Sequence, residues 1–152
     1  MRALAEITVA RPIDEVFDFV TDVAKMPSWM TGVRAASAID EEMRPGARFS
    51  LDYMGGWRSN ELEVVVAEFT PPTIFATQIA RGPFAFEGTM TFESAAGGTR
   101  VVNSIEAGPD SLATRIAAVL LGWLLSGSMS RRLHRELETL QHSIEDDTSI
   151  TA

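Results

Sequence analysis

The 152-residue sequence predicts an α+β fold: a curved, seven-stranded antiparallel sheet around one long C-terminal helix, with two short helices after the first strand. Three observations predict it. The chain opens on strict two-residue alternation. Its middle is a series of strand-like stretches divided by short turn-forming pairs. Its last third carries apolar residues at helical spacing. At this length one domain is expected, assigned here to residues 1–145, with the polar 146–152 as a frayed tail. A hydrophobic content of 45% is enough to bury a sizeable core.

The elements follow in order. In "ALAEITV", Ala3, Ala5, Ile7 and Val9 share one face, and Leu4, Glu6 and Thr8 the other. Arg11-Pro12 ends the strand. Proline suits a first helical turn, and Asp14 and Glu15 complement the helix dipole there. Ile13, Val16, Phe17 and Val20 then form one buried stripe. Asp22 can cap a second short helix, which Pro27 limits to a turn or two. Further strands are expected near 33–40, 47–54, 58–69, 73–81, 84–94 and 99–107. They are broken at Pro45-Gly46, Gly55-Gly56, Pro71-Pro72, Gly82-Pro83 and Gly97-Gly98. Such short connections favour an antiparallel meander. A long helix starts at Asp110 or Ser111 and runs to about Ile144.

The charges fix which face of each strand points inward. Glu61 and Glu63 face water, so Arg58, Asn60, Leu62, Val64 and Val66 share the inner face. Glu87, Thr89, Thr91 and Glu93 face out. Phe84, Phe86, Met90 and Phe92 therefore face in, with Gly88 leaving space among them. Val101, Asn103 and Ile105 face in, as do Phe49, Leu51 and Tyr53. Strand 73–81 is ambiguous: Ile74, Ala76 and Gln78 compete with Phe75, Thr77 and Ile79. The result is an apolar inner surface with a few polar groups, Tyr53, Arg58, Asn60, Asn103 and, on one parity, Gln78. That is the composition of a small-molecule pocket. Each polar residue alone has a plainer account, an Asn pairing with backbone or a Tyr reaching the rim.

The long helix is apolar all round from Ile116 to Leu125. Ile116, Val119 and Trp123 form one face and plug the sheet. Leu121 and Leu125 point nearly opposite and need a cover. A loop of the same chain, a second subunit or a lipid-like surface would each supply one; a homodimer interface is the preferred account, and access to the pocket through a mobile segment the second. Beyond Gly127, the residues Met129, Leu133, Leu137, Leu140 and Ile144 form an ordinary docking stripe.

Composition excludes several functions. The net charge is −8, Lys25 is the sole lysine, and the arginines are scattered, so no phosphate-tracking surface for nucleic acid is expected. There is no cysteine, which removes disulfides, thiol catalysis and thiolate metal sites. His134 and His142 lie late in the long helix as expected surface residues, and no His/Asp/Glu spacing suits a metal. No phosphate loop or nucleophile elbow is present, and no cofactor is expected. The N-terminus lacks an apolar signal core, and the apolar run falls short of the roughly 20 residues of a membrane span. A cytoplasmic protein without stable membrane insertion is the expectation.

The stretch "ITVARPIDEVFDFVTDVAKMPSWMTGV" resembles the START-like (SRPBCC) superfamily, in particular its polyketide cyclase/dehydrase and lipid transport family. "RPGARFSL", "ELEVVVAEFTPPTIFATQI", "FEGTMTFE", "GGTRVVNSIEA" and the closing "LHRELETLQHSIE" agree in order, so the resemblance covers nearly the whole chain. It implies a helix-grip (Bet v 1-like) fold with a hydrophobic cavity between sheet and helix. By position it carries over Pro12, Asp22, Pro27 and Trp29, and it implies a place near the pocket mouth for Trp29. It carries over no universal catalytic residue, and fold alone supplies none.

The leading expectation is therefore a protein that binds a hydrophobic small molecule: a lipid, a polyketide or an aromatic metabolite. Its expected ligand-binding residues are Trp29, Tyr53, Arg58, Asn60, Gln78, Phe84, Phe86, Met90, Asn103 and Trp123. The alternative is a polyketide cyclase, aromatase or dehydratase acting by substrate positioning. Tyr53, Arg58 and Asn103 would then be the hydrogen-bonding groups. By strand parity no acid or base faces the pocket, so the sequence leaves carriage and catalysis both open. A ligand-free interaction module, using the face at Leu121 and Leu125, is the third reading.

Overall fold

A computed structural model of the chain describes residues 2–55, 58–81, 86–107 and 130–146; Arg2, Arg58, Phe86 and Ala107 are described by backbone alone. Seven strands form one antiparallel sheet in the order β1-β7-β6-β5-β4-β3-β2. They are β1 Arg2–Val9, β2 Val33–Ala38, β3 Arg48–Gly55, β4 Arg58–Thr70, β5 Ile74–Arg81, β6 Phe86–Ala95 and β7 Gly98–Ala107. Strands β2 to β7 are a meander, as the short turns predict. β1 and β2 lie at opposite edges. The link between them, α1 (Ile13–Thr21) and a 3-10 helix (Val23–Ser28), must therefore span the width of the sheet.

The sheet is curved into a half-barrel. Register shifts between Val33 and Ala35, Glu63 and Val64, and Val66 and Glu68 concentrate along β2 and β4. Each extra residue bends its strand and increases local twist, which is how a long strand turns around a core. β2 stops short of the expected 33–40. The Ile39 and Asp40 amides both donate to the Arg48 carbonyl, and the Asp40 carboxylate takes the Arg48 N–H at 2.9 Å, which closes the ladder.

Alternation in β1 is realised as predicted: Ala3, Ala5 and Val9 are buried and Ile7 packs against the core. The β1–β7 edge depends on Gly98. Its φ is +150°, and a Cβ there would overlap the Val9 backbone carbonyl, so only glycine lets the strands approach.

In α1 the buried residues are Val16, Phe17, Phe19 and Val20. Phe19 adds to the expected stripe, and Ile13 is partly buried at its edge. Pro12 is the N-cap itself, extended at ψ 151° and without a side-chain cap bond. Phe17 anchors α1 to the sheet by packing on Phe69 and Phe92, with ring centroids 5.4 and 5.2 Å apart. The Asp22 carboxylate accepts the Ala24 N–H at 3.1 Å and so caps the 3-10 helix, which contains Pro27.

The C-terminal helix, here α2, is described over 130–145, followed by a turn at Asp146. Leu133, Leu137, Leu140 and Ile144 are buried, as the docking stripe predicts. Hydrogen bonds fix its far end. The Gln141 amide donates to the Thr8 carbonyl, Arg11 donates to the Glu145 carbonyl at 2.8 Å, and the Glu145 carboxylate accepts the Ala10 N–H. The expected helix start at Asp110 or Ser111, the apolar face of Leu121 and Leu125, Met129 and the tail beyond Asp146 lie outside the described residues. Among the described residues no helix is long and apolar enough to cross a membrane.

Candidate functional site

The inner faces of the strands, the 3-10 segment and α2 line a partly open cavity of about 420 Å³. Strand parity supplies its floor. Phe49 and Leu51 from β3, Leu62 and Val64 from β4, and Met90 with Gly88 from β6 line it. Asn103 and Ile105 come from β7. The ambiguous strand resolves onto Phe75, Thr77 and Ile79, which line the cavity. Met26, Trp29, Met30, Thr31 and Val33 close one side, and α2 contributes Arg132, Leu133 and Glu136.

Of the residues expected at the site, Trp29, Tyr53, Met90 and Asn103 line this cavity. Gln78 does not. It is exposed on the outer face, where its side-chain amide donates to the Glu87 carboxylate at 3.2 Å. Register explains the correction, because Gln78 pairs with Val65 of β4 and Glu87 of β6, both on the outward parity. Asn60 is also outside the lining. It lies opposite Tyr53 near the start of β4, two positions beyond Leu62, the cavity-lining residue nearest that end of the strand. The side chains of Arg58 and Phe86, and all of Phe84 and Trp123, fall outside what is described.

The polar part of the cavity clusters at one place. The Arg132 guanidinium donates to the Tyr53 hydroxyl at 2.9 Å. Tyr53 is held against Gly32: at φ +81° this glycine has no side chain, and a Cβ would come within 2.8 Å of the ring. One turn along α2 from Arg132, the Glu136 carboxylate accepts the Thr31 N–H at 2.9 Å. Burial pushes the Glu136 carboxyl above the usual carboxylate range, against the opposing pull of the Thr31 hydrogen bonds and the nearby Arg132 charge. Glu136 forms no ion pair among the described residues. Asn103 is buried at the cavity wall, and the indole Nε1 of Trp29, another lining residue, is buried with no hydrogen-bond partner among the described residues. A buried donor without a partner is costly, so the Trp29 indole N–H has hydrogen-bonding capacity for an occupant.

Arg132 and Glu136 are the residues that the strand pattern could not supply. Strand parity correctly leaves no carboxylate facing inward from the sheet, and the cavity acquires one from the helix instead. His134 pairs with Glu138 at 3.1 Å on the outer surface, and His142 is exposed. Among the described residues no group of His, Asp or Glu could hold a metal ion.

Comparison with known proteins agrees with this architecture. The sequence profile described as polyketide cyclase/dehydrase and lipid transport matches residues 2–141. No curated protein matches the chain. Among solved structures, TTHA0849 from Thermus thermophilus is similar with a TM-score of 0.76 at 18% identity, over 95% of this chain and 97% of that one. Ara h 8.0201 superposes at 0.65 with 11% identity, over 97% and 99%. DynU16, from the dynemicin biosynthetic locus, superposes at 0.68 with 18% identity, over 95% of this chain and 47% of that one. At such identities the likeness speaks for the fold.

Proposed function

The chain belongs to the polyketide cyclase/dehydrase and lipid transport family, and from that premise we propose that it binds a hydrophobic small molecule in the cavity between sheet and α2. The observation that carries this reading is the cavity itself. Its volume of about 420 Å³ falls in the range that takes drug-sized ligands. Its walls are apolar apart from a few convergent polar groups, which is how such sites combine affinity with orientation. A lipid, a polyketide or another aromatic metabolite fits the lining chemistry.

The test is native mass spectrometry of the purified protein together with mass analysis of its organic extract. A stoichiometric bound molecule, or uptake of an added apolar one, is expected. A protein that neither retains nor takes up any apolar compound refutes the reading.

A second reading, a cyclase or dehydratase acting by substrate positioning, is favoured by the polar groups on these walls. The Arg132–Tyr53 pair and the Asn103 amide could polarise carbonyls of a folded poly-β-ketone. The structural likeness to a protein from the dynemicin biosynthetic locus points the same way. Turnover of a poly-β-ketone that is unchanged in both Tyr53→Phe and Asn103→Ala would remove this reading and leave the binding one standing.

A further inference from the structure

Glu136 is the one carboxylate among the cavity's described lining residues, and the strand pattern gives no reason for it to be there. Its structural work is to accept from Thr31, through the backbone N–H and the side-chain hydroxyl, which a neutral glutamine oxygen would also do. A carboxylate offers about four acceptor positions, and Thr31 accounts for only part of them. Arg132, four residues earlier, donates to the Tyr53 hydroxyl and acts on Glu136 as a nearby charge. A partly buried carboxylate beside an apolar void, without a direct ion pair among the described residues, is expensive to keep for structure alone.

We propose that Glu136 sets the charge selectivity of the cavity. It accepts a hydrogen bond from the hydroxyl of an uncharged aromatic ligand, and it turns away ligands bearing a carboxylate or sulfonate. The inference rests on the binding reading above and adds to it which ligands are admitted. Arg132 is the obvious counter-argument, since a guanidinium attracts anions. Arg132, however, is an exposed residue, and charges in contact with solvent are screened. Glu136 lies deeper, where an anion placed beside it would be repelled with little screening. The net charge of −8 adds a longer-range repulsion of the same sign.

The ionisable groups facing the cavity with Glu136 are Arg132 on its own helix and Tyr53 on β3. The described lining residues of the 3-10 segment, β2, β4, β5, β6 and β7 carry none. Of the three side-chain types, only a carboxyl ordinarily titrates in the acid-to-neutral range. The protein's net charge changes over the same range, so the part of the selectivity change that is lost in Glu136→Gln reports Glu136.

The test displaces a neutral fluorescent probe, N-phenyl-1-naphthylamine, from the full chain with three naphthalenes of similar size: 2-naphthol, 2-methoxynaphthalene and naphthalene-2-sulfonate. Near pH 8 the naphthol should compete several-fold better than its methyl ether. The sulfonate should compete on the order of tenfold or more worse than the naphthol. Lowering the pH should narrow the sulfonate gap, because the sulfonate stays ionised while Glu136 takes up a proton. Glu136→Gln, which keeps an acceptor for Thr31, should close the gap near pH 8 and flatten its pH dependence. Naphthol and ether that compete equally, or a sulfonate penalty that survives in the glutamine variant, overturn the assignment and leave the binding reading intact. A chain that takes up neither probe nor naphthalene overturns both.

Discussion

Gly88 offers the most direct way to ask whether the cavity is room for a ligand or packing in disguise. It sits on β6 between Thr77 of β5 and Ile105 of β7, and all three residues line the cavity. Its φ is not positive, so an L side chain needs no strained backbone. A Cβ built there meets only the Thr77 hydroxyl oxygen, at an ordinary 3.5 Å. Gly88→Ala should therefore raise stability by about 0.5–1 kcal/mol, the usual gain from removing a strand glycine. Gly88→Leu adds a larger apolar group pointing into the void. Fully burying such a side chain is worth about 1.5–3 kcal/mol. Space is sufficient, because about 150 Å³ holds a benzene and the cavity measures about 420 Å³. A gain near 2 kcal/mol corresponds to roughly 4–8 °C in Tm for a chain of this size. The same side chain should exclude a ligand, weakening binding of N-phenyl-1-naphthylamine by about tenfold or more. Urea denaturation of the ligand-free variants and probe titration measure the two effects. The opposite pattern would refute the reasoning: Gly88→Leu destabilised by the roughly 1–3 kcal/mol of an overpacked core, with Gly88→Ala neutral. The space would then be unable to take a side chain and could not take a ligand.

Two further outcomes follow from α2. Leu137 is fully buried in the docking stripe, so Leu137→Ala should cost about 3 kcal/mol, within the 2–5 range for such truncations, read as a lowered urea midpoint at unchanged slope. For Glu136, the folded-state pKa lies above the unfolded value because burial disfavours the charged form. Its stability contribution is therefore fully present below the unfolded value and lost as pH rises through the folded one. Glu136→Gln should melt above the wild type near pH 8, and the difference should close as the pH falls; a difference independent of pH would show that the carboxyl is not held away from solvent.

Much of the sheet was legible because charge fixes parity. Once Glu61, Glu63, Glu87, Glu93, Arg100 and Glu106 are assigned to water, the inward positions of Leu62, Val64, Met90, Phe92, Val101 and Asn103 follow from a period of two, and all six are buried. β5 resisted this argument because both of its faces mix apolar and small polar residues. Gln78 and Thr77 are equally plausible inward groups until register is known. Pairing with β4 across the shift at Glu63/Val64, and with β6 at Gln78/Glu87, settles the strand by long-range hydrogen bonds. Asn60 was misplaced for a different reason. Its parity is right, but parity says nothing of how far along a strand the cavity extends.

The chemistry of the site was hidden for a reason specific to helices. In a strand a residue is in or out. In a helix, the positions flanking an apolar stripe turn toward the core or toward water according to the shape of what they pack on. Arg132 and Glu136, spaced i,i+4 on α2, flank that stripe and carry no period-two signal that would turn them inward. Only when Leu133 and Leu137 are seated on the sheet do these two side chains come over the cavity, one against Tyr53 and the other against Thr31. The apolar walls are thus encoded locally in each strand, while the polar selectivity depends on how α2 lies across them. Substitutions at Gly88 and at Glu136 therefore probe separable properties, the first the volume of the site and the second its preference for charge.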